Sequence, residues 1–410
     1  MAMKTVVICE RLKVKVRCAM NFKESAEKYN DFIIDRRRFY HSIPEISYKE
    51  YETTKEIAKD LSKMGIEIQT FQDYTGVIGT IKGTQPGKTV MLRADIDALN
   101  IEEKTGLPFA SKNGKMHACG HDAHISMLMG AAKMLLEVKD ELKGTVKLLF
   151  QGAEESSHGA EYYVKNGVLD GVDAIFGMHI WGTLDAPLMN LEAGSRMASV
   201  DNFRLTVKGL ASHGSAPNLG KDAIVASAAI IMNIQTIVSR NNNPLNPLVV
   251  SIGTINGGQA FNIIANNVVM DGTVRCHSRE VRATIENQLR DIVDNTARTF
   301  GCEAELDYNY YAAPIINDNE DINKIVINAA TKLYGDECLA PMPKLMGAED
   351  FAYFMEKVPG FYGFIGAKNS EKGIIYSNHN DKFTVDEESL HRGAALYAQF
   401  AHDFLLEKSK

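Results

Sequence analysis

The chain has 410 residues, 45% hydrophobic and 24% charged, the composition of a globular protein too long for one small core, so two domains are expected. A formal net charge of −7 argues against the basic face by which nucleic acids and anionic membranes are held, and no apolar run approaches the roughly 20 residues that span a bilayer. The six cysteines, at positions 9, 18, 119, 276, 302 and 338, show no paired spacing of a disulfide framework. A reducing, cytoplasmic location is therefore the expectation, and it leaves Cys119 free to act as a thiolate ligand.

The first 20 residues read as a poorly specified extension. Their one apolar run, Val6–Cys9, is broken at once by Glu10 and Arg11, too short for a secretory signal, and Met20 would serve as an alternative start. Helical spacing predicts one helix over Ser25–Phe39 and another over Tyr51–Met64, ended by Gly65. Strands alternating with helices follow. Thr89–Ala94 is a strand that runs into Asp95-Ile96-Asp97, and a helix carries Met127, Leu128, Ala131, Met134 and Leu135 on one spacing. Thr145–Phe150 is a strand ending near Glu154-Glu155, and Ala174–Met178 is a strand followed directly by His179. Gly363–Gly366 and Gly373–Tyr376 read as two further strands before His379, and Ser389–Leu405 as a closing helix. This alternation predicts an α/β layer structure with a mostly parallel sheet.

The middle of the chain is patterned differently. Strand Asn202–Lys208, helix Asp222–Ser239, strands Leu248–Ile255 and Val268–Arg275, helix Arg279–Phe300 and strand Glu303–Tyr310 give the order β-α-β-β-α-β, the ferredoxin-like split unit. The expected organisation is an α/β domain over 1–195 and 312–410, interrupted by an inserted domain over 196–311 and resuming with a helix at Asp321–Tyr334.

In an open α/β sheet, ligands gather beyond the carboxyl ends of the strands. Asp95/Asp97, Glu154/Glu155, His179 and His379 each follow a separate strand, and the segment MHACGHDAH (Met116–His124) opens a helix in the same layer. Any one of these has a bland explanation as a helix terminus or a surface histidine; their recurrence at equivalent places does not. Cys119 and His121 are two apart, so an extended loop turns both toward one point where a helix would splay them. Cys119, His121, Glu155, His179 and His379 are donors that borderline divalent ions accept. Five donors exceed a closed tetrahedral site and suit a two-metal site with room for water. The rival reading makes Cys119 a nucleophile with a histidine base, but leaves Glu154, Glu155 and His379 idle.

RADIDAL (Arg93–Leu99), MHACGHDAH, FQGAEE (Phe150–Glu155), GMH (Gly177–His179), SHGSAP (Ser212–Pro217), GTVR (Gly272–Arg275), GAEDF (Gly347–Phe351) and NHNDKF (Asn378–Phe383) occur in the order seen in the M20 metallopeptidase family. The chain most resembles its amidohydrolase branch, which includes N-acyl-amino-acid amidohydrolases, hippurate hydrolases and auxin-conjugate hydrolases. The resemblance implies a binuclear centre of zinc or manganese held by Cys119, His121, Glu155, His179 and His379, with Glu154 as general base. It implies that Asp97 orients a ligand imidazole, that Asn262 and Arg275 bind substrate, and that the insertion is a lid through which a homodimer forms, His213 reaching the partner's site. Gly152, Asn100, Ala265 and Asp381 depart from the branch's usual prolines in loops that shape the pocket. The expected reaction is hydrolysis of an N-acyl amino acid to a carboxylic acid and an amino acid. A dipeptide or an acetylated diaminopimelate is the alternative substrate, and a non-catalytic metal-binding interaction protein the remote one.

Overall fold

The structure, a computed structural model, describes residues 21–407; the extension at 1–20 lies outside the described residues. Asn21 caps the first helix, its side chain accepting from the Lys23 and Glu24 N–H groups. The single helix expected at Ser25–Phe39 is two, Phe22–Lys28 and Asn30–His41, broken at Tyr29. The second buries Arg37, Tyr40 and His41 along with Ile33, which is why apolar spacing alone misplaced its ends.

The large sheet has seven strands in the spatial order Glu67–Thr70, Gly76–Lys82, Lys143–Gln151, Gln85–Asp95, Ala174–Asp185, Gly360–Lys368 and Met189–Asn190. It is mixed rather than mostly parallel. The three central pairings are parallel, and the outer three are antiparallel. The central strands are buried on both faces and read as continuous apolar runs, as parallel strands do. Of the outer pairings, only Glu67–Thr70 with Gly76–Lys82 is joined by a short turn, which permits only antiparallel pairing. Of the two late strands expected, Gly363–Gly366 widens to Gly360–Lys368, whereas Gly373–Tyr376 makes only an isolated bridge, Asn369 to Ile374. Gly373, at φ +72°, turns the chain there instead.

Helix His121–Glu137 is buried over most of its surface and packs against Asn30–His41 and the C-terminal helix Glu388–Glu407. At its first turn lies a buried ionic cluster. The Asp122 Oδ2 accepts from Arg37 Nε at 2.8 Å and lies 2.9 Å from His41 Nδ1, while His41 Nε2 lies 3.0 Å from Glu103.

The second sheet has four antiparallel strands in the order Glu303–Tyr310, Asp201–Lys208, Asn267–Cys276 and Leu248–Gly257. Helices Ala223–Thr236 and Arg279–Thr299 cover one face, with their own core around Leu205, Ile230, Met270 and Leu289. Residues along Asp201–Lys208 alternate buried and exposed, the period-2 pattern of a half-buried strand. Against the expectation of no bilayer-spanning run, Ala223–Asn241, 19 residues at mean hydropathy 1.5, is by length and composition the one helix among the described residues that could cross a bilayer, with a third of the stretch buried. A short pair, Gly194–Met197 with Ile315–Asn317, lies where the chain passes between the two sheets. Asp201, fully buried, locks that crossing by accepting from Arg282 Nη2 at 2.7 Å, Tyr308 Oη at 3.0 Å and the Tyr311 N–H at 3.1 Å.

Burial opposes ionisation of Asp122, but Arg37 and His41 outweigh it and hold its carboxyl far below the ordinary range. Asp122→Asn leaves the Arg37 guanidinium buried with Glu387 as its remaining ionic partner, at 3.2 Å. We expect urea denaturation to show a loss of about 3 kcal/mol, the low end for breaking a buried pair. Because the folded-state pKa is depressed, this contribution is present above the unfolded value. The wild-type advantage should therefore shrink as pH falls from about 4.

Candidate metal centre and catalytic cavity

The donor residues are presented by tight backbone turns at the strand ends. Cys119 and His121 are joined not by an extended loop but by Gly120 in the left-handed region, at φ +93°, where a Cβ would come 2.4 Å from Ile180 Cγ2. Only glycine fits, and the turn sets His121 as the first residue of its helix. Ala153, Ser157 and His379 also have positive φ, at 63°, 57° and 67°. Such non-glycine conformations persist where the surroundings over-determine them, and here they flank Glu154-Glu155 or present a candidate ligand.

Cys119 Sγ lies 3.3 Å from His179 Nε2 and 3.3 Å from His379 Nε2. Glu155 Oε1 is 3.6 Å from His379 Nε2 and 3.9 Å from His121 Nε2, which is also 3.9 Å from Glu154 Oε2. Cys119, His121 and His179 form one donor triad, and Cys119, Glu155 and His379 a second. The outer ring nitrogens are held in place: His121 Nδ1 lies 3.2 Å from Asp97 Oδ1, and His179 Nδ1 donates to the Ile180 carbonyl at 2.7 Å. That leaves the Nε2 lone pair of each facing inward. Asp97 also accepts from Ser47 Oγ at 2.7 Å and the Glu155 N–H at 2.9 Å, so one carboxylate orients a donor from each triad.

Two tests on these residues favour cations. His121 Nε2 and Glu155 Oε1 are buried with no hydrogen-bond partner, a costly state for polar atoms unless something else engages them. The protonation equilibria also register excess negative charge. Burial first, then neighbouring carboxylates, pushes Glu154 well above its usual range and Glu155 up to about 7. Burial and Glu155 push the Cys119 thiol up, the wrong direction for a thiolate nucleophile. Against its burial, His121 is raised to about 10 by Asp95 and Asp97. Burial alone leads the downward shift of His179. Protons accumulate where divalent ions would otherwise supply the charge. Sulfur, imidazole and carboxylate donors within reach of one another fit such ions.

The third histidine of the helix-opening segment has another use. His124 Nδ1–H donates to Asp95, and Nε2 accepts from the Ile180 N–H at 2.8 Å. Sequence reasoning left without a role the carboxylate store behind the donors. Arg93, fully buried, reaches Asp95 at 2.7 Å and Glu349 and Asp350 at 3.0 Å each, and Tyr362 also donates to Glu349. Oxygens of Asp95, Glu154 and Glu349 lie within 4.8 Å of one another. The available signal was Arg93 itself, a charge inside an apolar strand.

Cys119, Glu154, Glu155, His179 and His379 open onto a cavity of about 650 Å³, and Arg275 lines it too, bonded by Nη1 to the Met346 carbonyl at 3.2 Å. His213 and Asn262 are not brought to it within the chain. They sit side by side on exposed loops of the four-stranded unit, tied by Gly214 N–H to the Asn262 carbonyl at 2.7 Å. A wider cleft of about 850 Å³ lies elsewhere, beside Arg38, Lys104 and Lys372. Those cations are paired with Glu387, Asp381 and Asp386, and the cleft has no comparable convergence of donors.

The chain belongs to peptidase family M20/M25/M40, whose model matches residues 91–403. It is 40% identical to thermostable carboxypeptidase 2 of Saccharolobus solfataricus over 93% of this chain and 98% of that protein. It is 41% identical to an N-acetyl-L-cysteine deacetylase of Bacillus subtilis over 87% and 84%. The solved structure of a dinuclear metal-binding peptidase of the M20 family from Bacillus subtilis superposes with a TM-score of 0.82 at 36% identity, covering 93% of this chain and 99% of that one. The chain is thus a metal-dependent amidohydrolase with the mixed α/β architecture of its family.

Replacing Cys119 by serine exchanges a potential thiolate donor shared by both triads for a neutral hydroxyl. Elemental analysis should show metal affinity reduced at least 10–100-fold, no less than the loss expected from a disrupted supporting residue. A protein that keeps its metal and loses only turnover would instead make Cys119 a nucleophile.

Proposed function

We propose that this chain hydrolyses N-acyl amino acids to a carboxylic acid and a free amino acid. The reading is carried by one juxtaposition: the convergent donors, the carboxyl of Glu154 and the Arg275 guanidinium share a single cavity. Cys119, His121, Glu155, His179 and His379 would hold two ions, zinc or manganese, with Asp97 orienting His121 and the Glu155 turn. Such ions supply Lewis acidity and lower the pKa of water from about 15.7 toward 7. Glu154 takes the proton of the attacking water and delivers it to the leaving amine as the C–N bond breaks. Burial weakens the solvation of Arg275 and lowers its pKa, which favours a charge-assisted bond to the substrate carboxylate.

The relative named a carboxypeptidase favours a second reading, in which the same Arg275 receives the carboxylate of a peptide C-terminus. A screen of metal-supplemented protein against N-acetyl, N-benzoyl, indoleacetyl and long-chain N-acyl amino acids, with dipeptides alongside, separates the two. Activity on peptides alone would overturn the acyl-amino-acid reading.

The proposed assembly is a homodimer through the four-stranded unit. Helix Ala223–Thr236, the edge strand Leu248–Gly257 and the loop after it leave Ile224, Val225, Met232, Ile255 and Phe261 exposed, large apolar side chains of the kind that association covers. Across a two-fold axis, His213 would reach the neighbouring cavity and stabilise the developing oxyanion, with Asn262 beside it toward the substrate.

Glu154→Gln should lower turnover by at least roughly 10²-fold with metal content near normal, read by steady-state kinetics and elemental analysis. Near-normal turnover would remove Glu154 as the base. His213→Ala should also cost activity without loss of metal. Mixed with Glu154→Gln subunits, it should regain activity at about half the sites of each heterodimer, because one site then receives both intact groups. Heterodimers that form and stay inactive would place the action of His213 elsewhere.

A further inference from the structure

The strand Lys143–Gln151 ends its ladder where Gln151 faces Gly76. The next two amides, of Gly152 and Ala153, are buried beyond the sheet and must find side-chain partners. They find two. The Gly152 N–H donates to Tyr163 Oη at 2.7 Å, and the Ala153 N–H to Glu50 Oε1 at 2.7 Å. Thr75 joins these partners: its carbonyl accepts from Tyr163 Oη at 2.6 Å, and its Oγ1 donates to Glu50 Oε2 at 2.7 Å. The result is a closed ring of hydrogen bonds around the two residues that precede Glu154. Tyr163, Glu50 and Thr75 are all buried, and the Tyr163 ring is met edge-on by Phe71 and Tyr74, with centroids at 5.1 and 5.3 Å. The fit leaves no slack. A Cβ on Gly76 would come 2.3 Å from Tyr163 Oη, and one on Gly152 would come 2.4 Å from Thr75 Oγ1. Proline, usual in the branch at position 152, has no N–H to give this hydroxyl. Ala153 is held at φ +63°, and the turn that carries Glu154 starts from it.

We infer that Tyr163 is a positioning residue for the general base: with Glu50 and Thr75, its hydroxyl fixes the Gly152–Ala153 turn from which Glu154 is aimed. This rests on the proposed function, in which Glu154 moves the proton, and adds to it the group that holds Glu154 in line. Glu155 has an anchor of its own, its N–H on Asp97 at 2.9 Å, so the ring bears on the base rather than on the metal donors. A misplacement of about 1 Å at a reacting group is enough to cost roughly 10²-fold in rate.

Tyr163→Phe removes the hydroxyl and keeps the ring. In metal-loaded protein, assayed with the N-acyl amino acid or dipeptide turned over fastest in the screen above, kcat should fall about 10–100-fold. KM should stay within about threefold and metal content near normal, because only the aim of Glu154 changes. In Glu154→Gln protein the same substitution should lower the residual turnover by no more than about twofold, since a group acting through Glu154 has nothing left to aim. Hydrogen exchange read by mass spectrometry should become at least roughly tenfold faster in the peptide spanning 152–157 and stay unchanged in the four-stranded unit. If Tyr163→Phe does not fold, Glu50 carries the test. Glu50→Met should show the same loss of kcat, and Glu50→Gln, whose amide oxygen still accepts from Ala153, should regain most of it. An equal loss in both Glu154 backgrounds overturns the inference, as does an unchanged exchange rate or a kcat that does not fall. Near-normal turnover of Glu154→Gln overturns the underlying reading and this inference with it. An inactive Glu154→Gln beside an unaffected Tyr163→Phe overturns this inference alone.

Discussion

The catalytic end of the large sheet depends on how buried negative charge is balanced. Asp95, Asp97, Glu154, Glu349 and Asp350 are all buried, and isolated carboxylates cannot stay ionised there. One buried cation, Arg93, serves three of them, Nη1 donating to Asp95 and Nη2 to both Glu349 and Asp350, and its Nε also donates to Gln151 at 2.8 Å. Each of the three then acts as a fixed support. Asp95 holds His124, Asp350 accepts from Gln151 Nε2 and the Ala160 N–H, and Glu349 accepts from Tyr362 and the Phe351 N–H. Arg93 contacts neither Glu154 nor Glu155. What remains uncompensated is the pair that faces the cavity, and this residue of charge is what divalent ions answer.

The same balance explains what was legible in the sequence. Donors at the ends of separate strands stand out because Cys, His and Glu there serve no packing purpose, so the five candidate ligands, Glu154 and Asp97 could all be picked out by position and resemblance. Asp95 and Glu349 could be seen as acidic residues but not given a role, because their partner Arg93 is distant from Glu349 in sequence and only the parallel pairing of the central strands brings them together. The mixed sheet was misread for a related reason. Strand pattern reports burial on two faces and says little about the direction of a neighbour. The break at Tyr29 and the loss of a strand at Gly373–Tyr376 are boundary effects. Buried Arg37 and His41 defeat an apolar template, and a left-handed glycine turns a short apolar run back on itself.

Backbone strain sits where the site needs fixed aim. Gly120, Ala153, Ser157 and His379 all have positive φ, and three of the four carry a side chain that disfavours it. The cost is borne by rigid neighbours. The Ala153 N–H is held by Glu50 at 2.7 Å, Glu50 accepts from Thr75 Oγ1 at 2.7 Å, and the His379 N–H is held by the Ala118 carbonyl at 2.8 Å. Donor positions are therefore set by packing before any ion arrives, so less ordering remains to be done on binding.

The four-stranded unit contributes differently. Within one chain it offers the cavity Arg275 from a central strand, whereas His213 and Asn262 stay on its exposed loops. Arg275 sits on the strand Asn267–Cys276, whose Val274 pairs with Asp201 at the crossing between the sheets. The loops have no such tether, and their apolar neighbours Phe261 and Ile263 are uncovered. Arg275 thus lies at the crossing and His213 and Asn262 on an exposed surface, a division that the proposed two-fold assembly would use.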